Sequence, residues 1–109
     1  MSNLFFTDLV IDDISSTLNY IEEELEAPMA SKNLSLELDE TYLKLEKNPY
    51  RRPLVQNKYL AIKGFRSINI KNFTLFYIIE EETNLVILHR FMYGKRDWAT
   101  ILINEFEED

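Results

Sequence analysis

"GFRSINIKNFTLFYIIEEETNLVILHRFMYGKRDW", residues 64–98, contains three runs rich in β-branched and aromatic residues. RSINI, FTLFYIIE and LVILHRFMY are separated only by KN and EETN, connections so short that consecutive strands must pair antiparallel. A further run, YLAIKGF, precedes them and reads as another strand, interrupted at Gly64 by a turn or bulge. Gly94 ends the last strand. Beyond it, RDWATILINEF offers Trp98, Ile101 and Leu102 as the anchor of a short terminal helix capped by Asp97.

Upstream of this region the period changes. Val10, Ile14, Leu18, Ile21 and Leu25 recur at helical spacing behind Asp8, which reads as the N-cap. A second helix is expected from Pro28 through Ala30, Leu34, Leu38, Thr41 and Leu45, stopping before Pro49. NLFFT, residues 3–7, reads as a short edge strand. The expected architecture is α+β, with an N-terminal helical hairpin packed on one face of a three- to four-stranded antiparallel sheet and a short C-terminal helix.

The 109 residues suffice for one core, and residues 1–109 are read as one domain. Absence of cysteine excludes disulfides and thiolate metal sites, and a single histidine leaves no familiar pair of metal ligands, so no metal or cofactor is expected. No apolar stretch approaches the length of a membrane span, and the N-terminus lacks a signal-peptide pattern, which places the expected location in the cytoplasm.

The net charge of -7 conceals a polarised chain. Residues 1–31 carry seven acids and no Lys or Arg, whereas residues 44–79 carry eight cations against Glu46 alone. Residues 83–96 add Arg90, Lys95 and Arg96. A local basic face can meet phosphate although the total charge is negative. The run Glu22–Glu24 reads as a solvated helix face.

IDDISSTLNYIEEELEAPMASKNL, LEKNPYRRPLV and residues 64–98, taken in order, resemble the RelE/ParE superfamily of toxins from bacterial type II toxin–antitoxin modules. The likeness runs from about Phe5 to Leu102. Pro49 closing the second helix, Gly64 to Arg66 opening the sheet, Tyr77, and YGKRDW match best. The resemblance implies a toxin silenced by a cognate antitoxin, and the expected action is ribosome-dependent mRNA cleavage by a metal-independent endoribonuclease; the alternatives are inhibition of DNA gyrase by binding and a relative that binds antitoxin without being toxic. Both a homodimer and a toxin–antitoxin hetero-oligomer are compatible with it. Ribosome-dependent relatives usually carry an arginine where this chain has Thr74, and place a tyrosine or a His–Tyr pair near the C-terminus, where this chain continues WATIL.

Cleaving RNA through its own 2'-hydroxyl needs a base, an acid, and cations for the developing phosphorane charge. Arg66 and Arg96 suit bidentate phosphate contacts, and Lys63, Lys95 and Arg90 add charge. His89 and Tyr93 are the proton carriers nearest to them in sequence. On an ideal strand they share one face, with Arg90 opposite. If the core lies on the Leu88/Met92 side, Arg90 is buried; if it lies on the Phe91 side, His89 is.

Overall fold

The computed structural model describes residues 2–107. Strand β1 (Asn3–Phe6) leads into helix α1 (Asp8–Asn19), which runs on through a π-helical turn at Tyr20–Glu24 before α2 (Pro28–Lys47) doubles back. A 3-10 turn (Pro49–Arg51) and the short helix α3 (Lys58–Ile62) lead to β2 (Phe65–Ile70), β3 (Phe73–Glu80), β4 (Leu85–Tyr93) and α4 (Trp98–Glu107).

Local chemistry explains most of these boundaries. Thr7, not Asp8, caps α1: its backbone is extended and its hydroxyl accepts from the Val10 amide at 3.1 Å. Asp8 becomes the first helical residue, where its charge still favours the unpaired amides of the first turn. Glu26, at φ 49°, takes the left-handed conformation that turns the hairpin. Pro28 then starts α2, and Pro49 disfavours helical geometry at Asn48 and ends it.

One expected strand is a helix. YLAIKGF forms α3 because the Asn57 side chain accepts from the Leu60 amide at 3.1 Å, Leu60 is buried, and Gly64 at φ 93° closes the turn in a conformation other residues resist. A cap and a glycine thus outweigh the β propensity of the side chains between them. Strand structure begins only at Phe65.

The sheet order is β1-β4-β3-β2. The pairs β2–β3 and β3–β4 are antiparallel, as the short connections require, but β1 joins β4 in parallel, with Phe6 opposite Leu88. The sheet is therefore mixed and four-stranded. Both of its faces are covered, where helices on one face alone were expected. Leu34, Leu38 and Leu45 of α2 and Val10 of α1 pack against Leu75, Tyr77, Leu88 and Phe91. Leu60 of α3 and Leu102 of α4 pack against Phe65, Phe76 and Met92 on the other side.

A β-bulge settles which way β4 faces. Tyr77 pairs with Leu88 but Phe76 pairs with Arg90, so His89 is an extra residue. Alternation shifts by one at this point. Leu88 and Phe91 both belong to the core under the hairpin, while Met92 belongs to the core under α4.

Candidate functional site

A cationic surface lies at the outer edge of β2, where the 3-10 turn after α2 meets the sheet. Tyr77 fixes that turn. Its buried hydroxyl donates to the Pro49 carbonyl at 2.8 Å. Burial pushes the hydroxyl pKa up, while Arg66, Arg52 and Arg51 pull it back, which places three guanidinium groups in electrostatic reach of one phenol. Arg66 lies opposite Tyr77 in the sheet, donates to the Arg52 carbonyl, and sits 5.2 Å over the Tyr50 ring. Arg52 donates through Nε to the Ser67 carbonyl at 3.3 Å. Among the described residues, none of these three arginines forms an ion pair with a carboxylate. Their charge is open to a partner, and the guanidinium groups of Arg52 and Arg66, held by backbone carbonyls, are already oriented for anion contact.

Of the residues expected to form a site, only Arg66 belongs to this group. His89 faces α4, its ring 5.3 Å from that of Phe65 and 5.9 Å from that of Phe106. Burial lowers its pKa, an effect that Glu105 opposes and Arg90 reinforces. Lys63 lies on the same side, over Tyr59 and Phe106 at 5.5 and 5.6 Å. Tyr93 lies on the opposite side of the sheet, against Phe73 at 6.0 Å. The expected His89–Tyr93 partnership on one face is thus undone by the bulge. Nor does Tyr93 meet Arg66: in β3, Tyr77 and Phe73 are four residues apart, roughly 13 Å of strand.

Arg90 is committed to structure rather than to phosphate. Its Nε and Nη2 donate to the Asp13 carboxylate at 2.6 and 3.0 Å, and Nη1 donates to Glu105 at 2.8 Å. It is neither wholly buried nor facing out, as simple alternation required, but bridges α1 and α4 at the sheet edge. The hydrogen bond with Asp13 is the largest influence raising its pKa. Lys95 and Arg96 are exposed in the turn between β4 and α4. Gly94 in that turn admits a close approach, since a side-chain carbon there would stand 3.2 Å from the Asn72 carbonyl oxygen and 3.3 Å from the Thr74 hydroxyl. Thr74 is buried and donates to Asn69 at 3.0 Å, so the position is part of this packed turn.

Two features escaped the sequence reading. Tyr50, Arg51 and Arg52 were visible only as part of a basic stretch, although a tyrosine and two consecutive arginines following a helix-stopping proline are a signal for a cationic corner. An apolar cleft of about 600 Å³ also opens between the hairpin tip and the end of the sheet that carries the β2–β3 turn, lined by Tyr20, Ile21, Leu25, Leu34, Phe73 and Tyr93, with Lys71 at its rim. The residues that form it are far apart in sequence, so although Ile21 belongs to the periodic apolar stripe of the first helix, nothing in that stripe shows what it meets.

Solved structures share this architecture. A chain of the chromosomal ParDE toxin–antitoxin system from P. aeruginosa superposes with a TM-score of 0.67, at 14% identity over 87% of this chain and 98% of that one. A chain of the RelBE2 toxin–antitoxin complex from Mycobacterium tuberculosis gives a TM-score of 0.60, at 16% identity over 84% and 96%. The fold is that of the RelE/ParE toxins. No curated protein sequence gives a significant match. The sequence pattern of the ParE toxin of the type II toxin–antitoxin system parDE matches residues 4–98, and the chain belongs to that family.

Proposed function

We propose that this ParE-family toxin arrests growth by binding DNA gyrase, with no bond made or broken by its own side chains. The observation that carries this reading is the separation of His89 and Tyr93 onto opposite faces of the sheet. RNA cleavage needs a base, an acid and cations converging on one phosphate. Here neither His89 nor Tyr93 stands with the arginine group, and Arg90 is already neutralised by two carboxylates. What the surface offers is a fixed cationic corner at Arg51, Arg52 and Arg66, suited to an acidic surface of a protein target.

The silencing partner is a cognate antitoxin. An amphipathic helix laid into the cleft between hairpin and sheet would bury the rings of Tyr20, Phe73 and Tyr93, and an acid on it would share Lys71 with Glu37. Inducing the chain in cells tests both parts. Plasmids should lose negative supercoiling without new ends appearing in ribosome-associated mRNA, and co-expression of the neighbouring gene should restore growth. Harmless high-level expression would count against toxicity itself.

Ribosome-dependent mRNA cleavage is the second reading, favoured by the open arginine group, with which phosphate would pair. On that reading Arg66→Ala removes transition-state charge stabilisation worth roughly 2.7–4 kcal/mol and slows cleavage about a hundredfold or more.

A further inference from the structure

Three large apolar side chains stand in solvent on the back of α2. Met29, Leu36 and Leu43 are 66%, 52% and 57% exposed, and they recur at every seventh residue. The helix buries its other face, through Ser31, Leu34, Leu38, Thr41 and Leu45. With 3.6 residues per turn, the exposed row runs almost diametrically opposite the buried one. Packing within the chain needs apolar residues on one face of a helix only. A seven-residue period drifts by just about 20° per repeat on a straight helix, the spacing that keeps a stripe against a partner helix. The row is separate from the apolar cleft, which Ala30 and Leu34 line from the opposite side of α2.

The charges beside the row identify the partner. Lys32 stands between Met29 and Leu36, and Asp39 and Glu40 stand between Leu36 and Leu43; all three are exposed. Beyond Leu43 come Lys44 and Lys47, whereas the hairpin tip ahead of Met29 carries Glu22, Glu23, Glu24 and Glu26. Glu37, to one side, is taken by Lys71 at 3.2 Å. Suppose two such helices lie antiparallel with Leu36 facing Leu36. Met29 then meets Leu43, Lys32 meets Asp39 and Glu40, and the acidic tip of each hairpin meets Lys44 and Lys47 of the other. A parallel pair sets like charge against like at every one of these levels. An anionic membrane fits less well, because over Pro28–Lys47 four acids outnumber three lysines.

We propose that this face is where two copies of the chain meet, in an isologous contact whose twofold axis passes beside Leu36. The exposed row faces away from the side of α2 that lines the cleft. The contact rests on α2 and the hairpin tip ahead of it and is independent of which target the toxin binds.

The chain contains no cysteine, so single introduced thiols report on the geometry directly. Leu36→Cys sets two thiols beside the axis, within reach of each other. Met29→Cys or Leu43→Cys alone leaves them roughly 20 Å apart, since seven residues of helix separate each from the axis. On oxidation, Leu36→Cys should crosslink on the order of tenfold faster than either of the others, because its thiols are already neighbours in the dimer. Mixing the Met29→Cys and Leu43→Cys chains should recover the fast rate. In sedimentation equilibrium, Leu36→Glu and Lys32→Glu should each weaken dimerisation, and the exchange Lys32→Glu with Glu40→Lys should restore it. Circular dichroism should stay unchanged throughout, since every substituted side chain is exposed. Equal crosslinking at all three positions overturns the proposal, as does a dimer indifferent to Leu36→Glu, or a chain monomeric at about 1 mM.

Discussion

Asp13 and Arg90, 77 residues apart, share two hydrogen bonds, and the same carboxylate accepts from the Phe91 amide at 3.0 Å. The arrangement follows from where β1 stops. Phe6 is the last residue to pair, opposite Leu88, so the outer edge of β4 beyond that point has no strand beside it. The start of α1 supplies the missing partners instead. Thr7 donates its amide to the Leu88 carbonyl and its hydroxyl to the His89 carbonyl, and Asp13 takes the Phe91 amide. The bulge, the helix and the ion pair therefore depend on one another.

Asp13→Ala should cost about 3 kcal/mol, because it strips a mostly buried arginine of its main partner and orphans an edge amide. Glu105→Gln should cost less than about 1 kcal/mol, since Glu105 is the more exposed acid and Asp13 remains. Urea unfolding of the two variants measures the difference. Equal losses would mean that the pair with Asp13 is not the principal tie.

The fold was legible wherever local chemistry and tertiary packing agree. Pro28 and Pro49 bracket α2, the KN and EETN turns set the β2–β3–β4 meander, and Asp97 caps α4 through Thr100 as expected. Trp98 packs on Phe76 at 4.9 Å, in the anchoring role its position suggested. The site was harder to read. An extra residue at position 89 leaves the composition of β4 unchanged but reverses the face of everything after it, so no period count could separate His89 from Tyr93. YLAIKGF misled for a related reason, because its helix is imposed by Asn57 and Gly64 at its ends rather than by the residues between.

Stability should depend on pH through His89. Burial holds the folded-state imidazole below its ordinary 6.5, so the unfolded chain takes up the proton first as pH falls. This contribution is complete above about pH 6.5 and shrinks from there down toward the folded value. His89→Gln should flatten that part of the profile. Thermal unfolding followed from about pH 7.5 to 5.5 checks it, and an unchanged slope in the variant would assign the dependence to other groups.

Tyr77→Phe deletes the hydroxyl that holds the Pro49 carbonyl inside the fold. The expected loss is about 1–2 kcal/mol, the penalty of one buried acceptor left unpaired. Because that bond fixes the turn carrying Tyr50, Arg51 and Arg52, the variant should also bind the target more weakly than its stability loss explains. Binding measured at a temperature where both proteins are fully folded separates the two effects.

Removing the chain from Trp98 onward should abolish cooperative unfolding rather than merely delete a contact surface. Leu102 is 1% exposed, and α4 covers Phe65, Phe76 and Met92. A truncated chain that still gives a sharp thermal transition would show α4 to be dispensable to the core.

Binding without catalysis is tested most directly by titrating purified chain into a gyrase supercoiling reaction, wild type beside the double substitution His89→Gln and Tyr93→Phe. The predicted result is inhibition by both proteins at the same concentration, with no cleavage of ribosome-bound mRNA by either. Gyrase untouched by the wild type, together with mRNA cleavage that the folded double variant has lost, would contradict it.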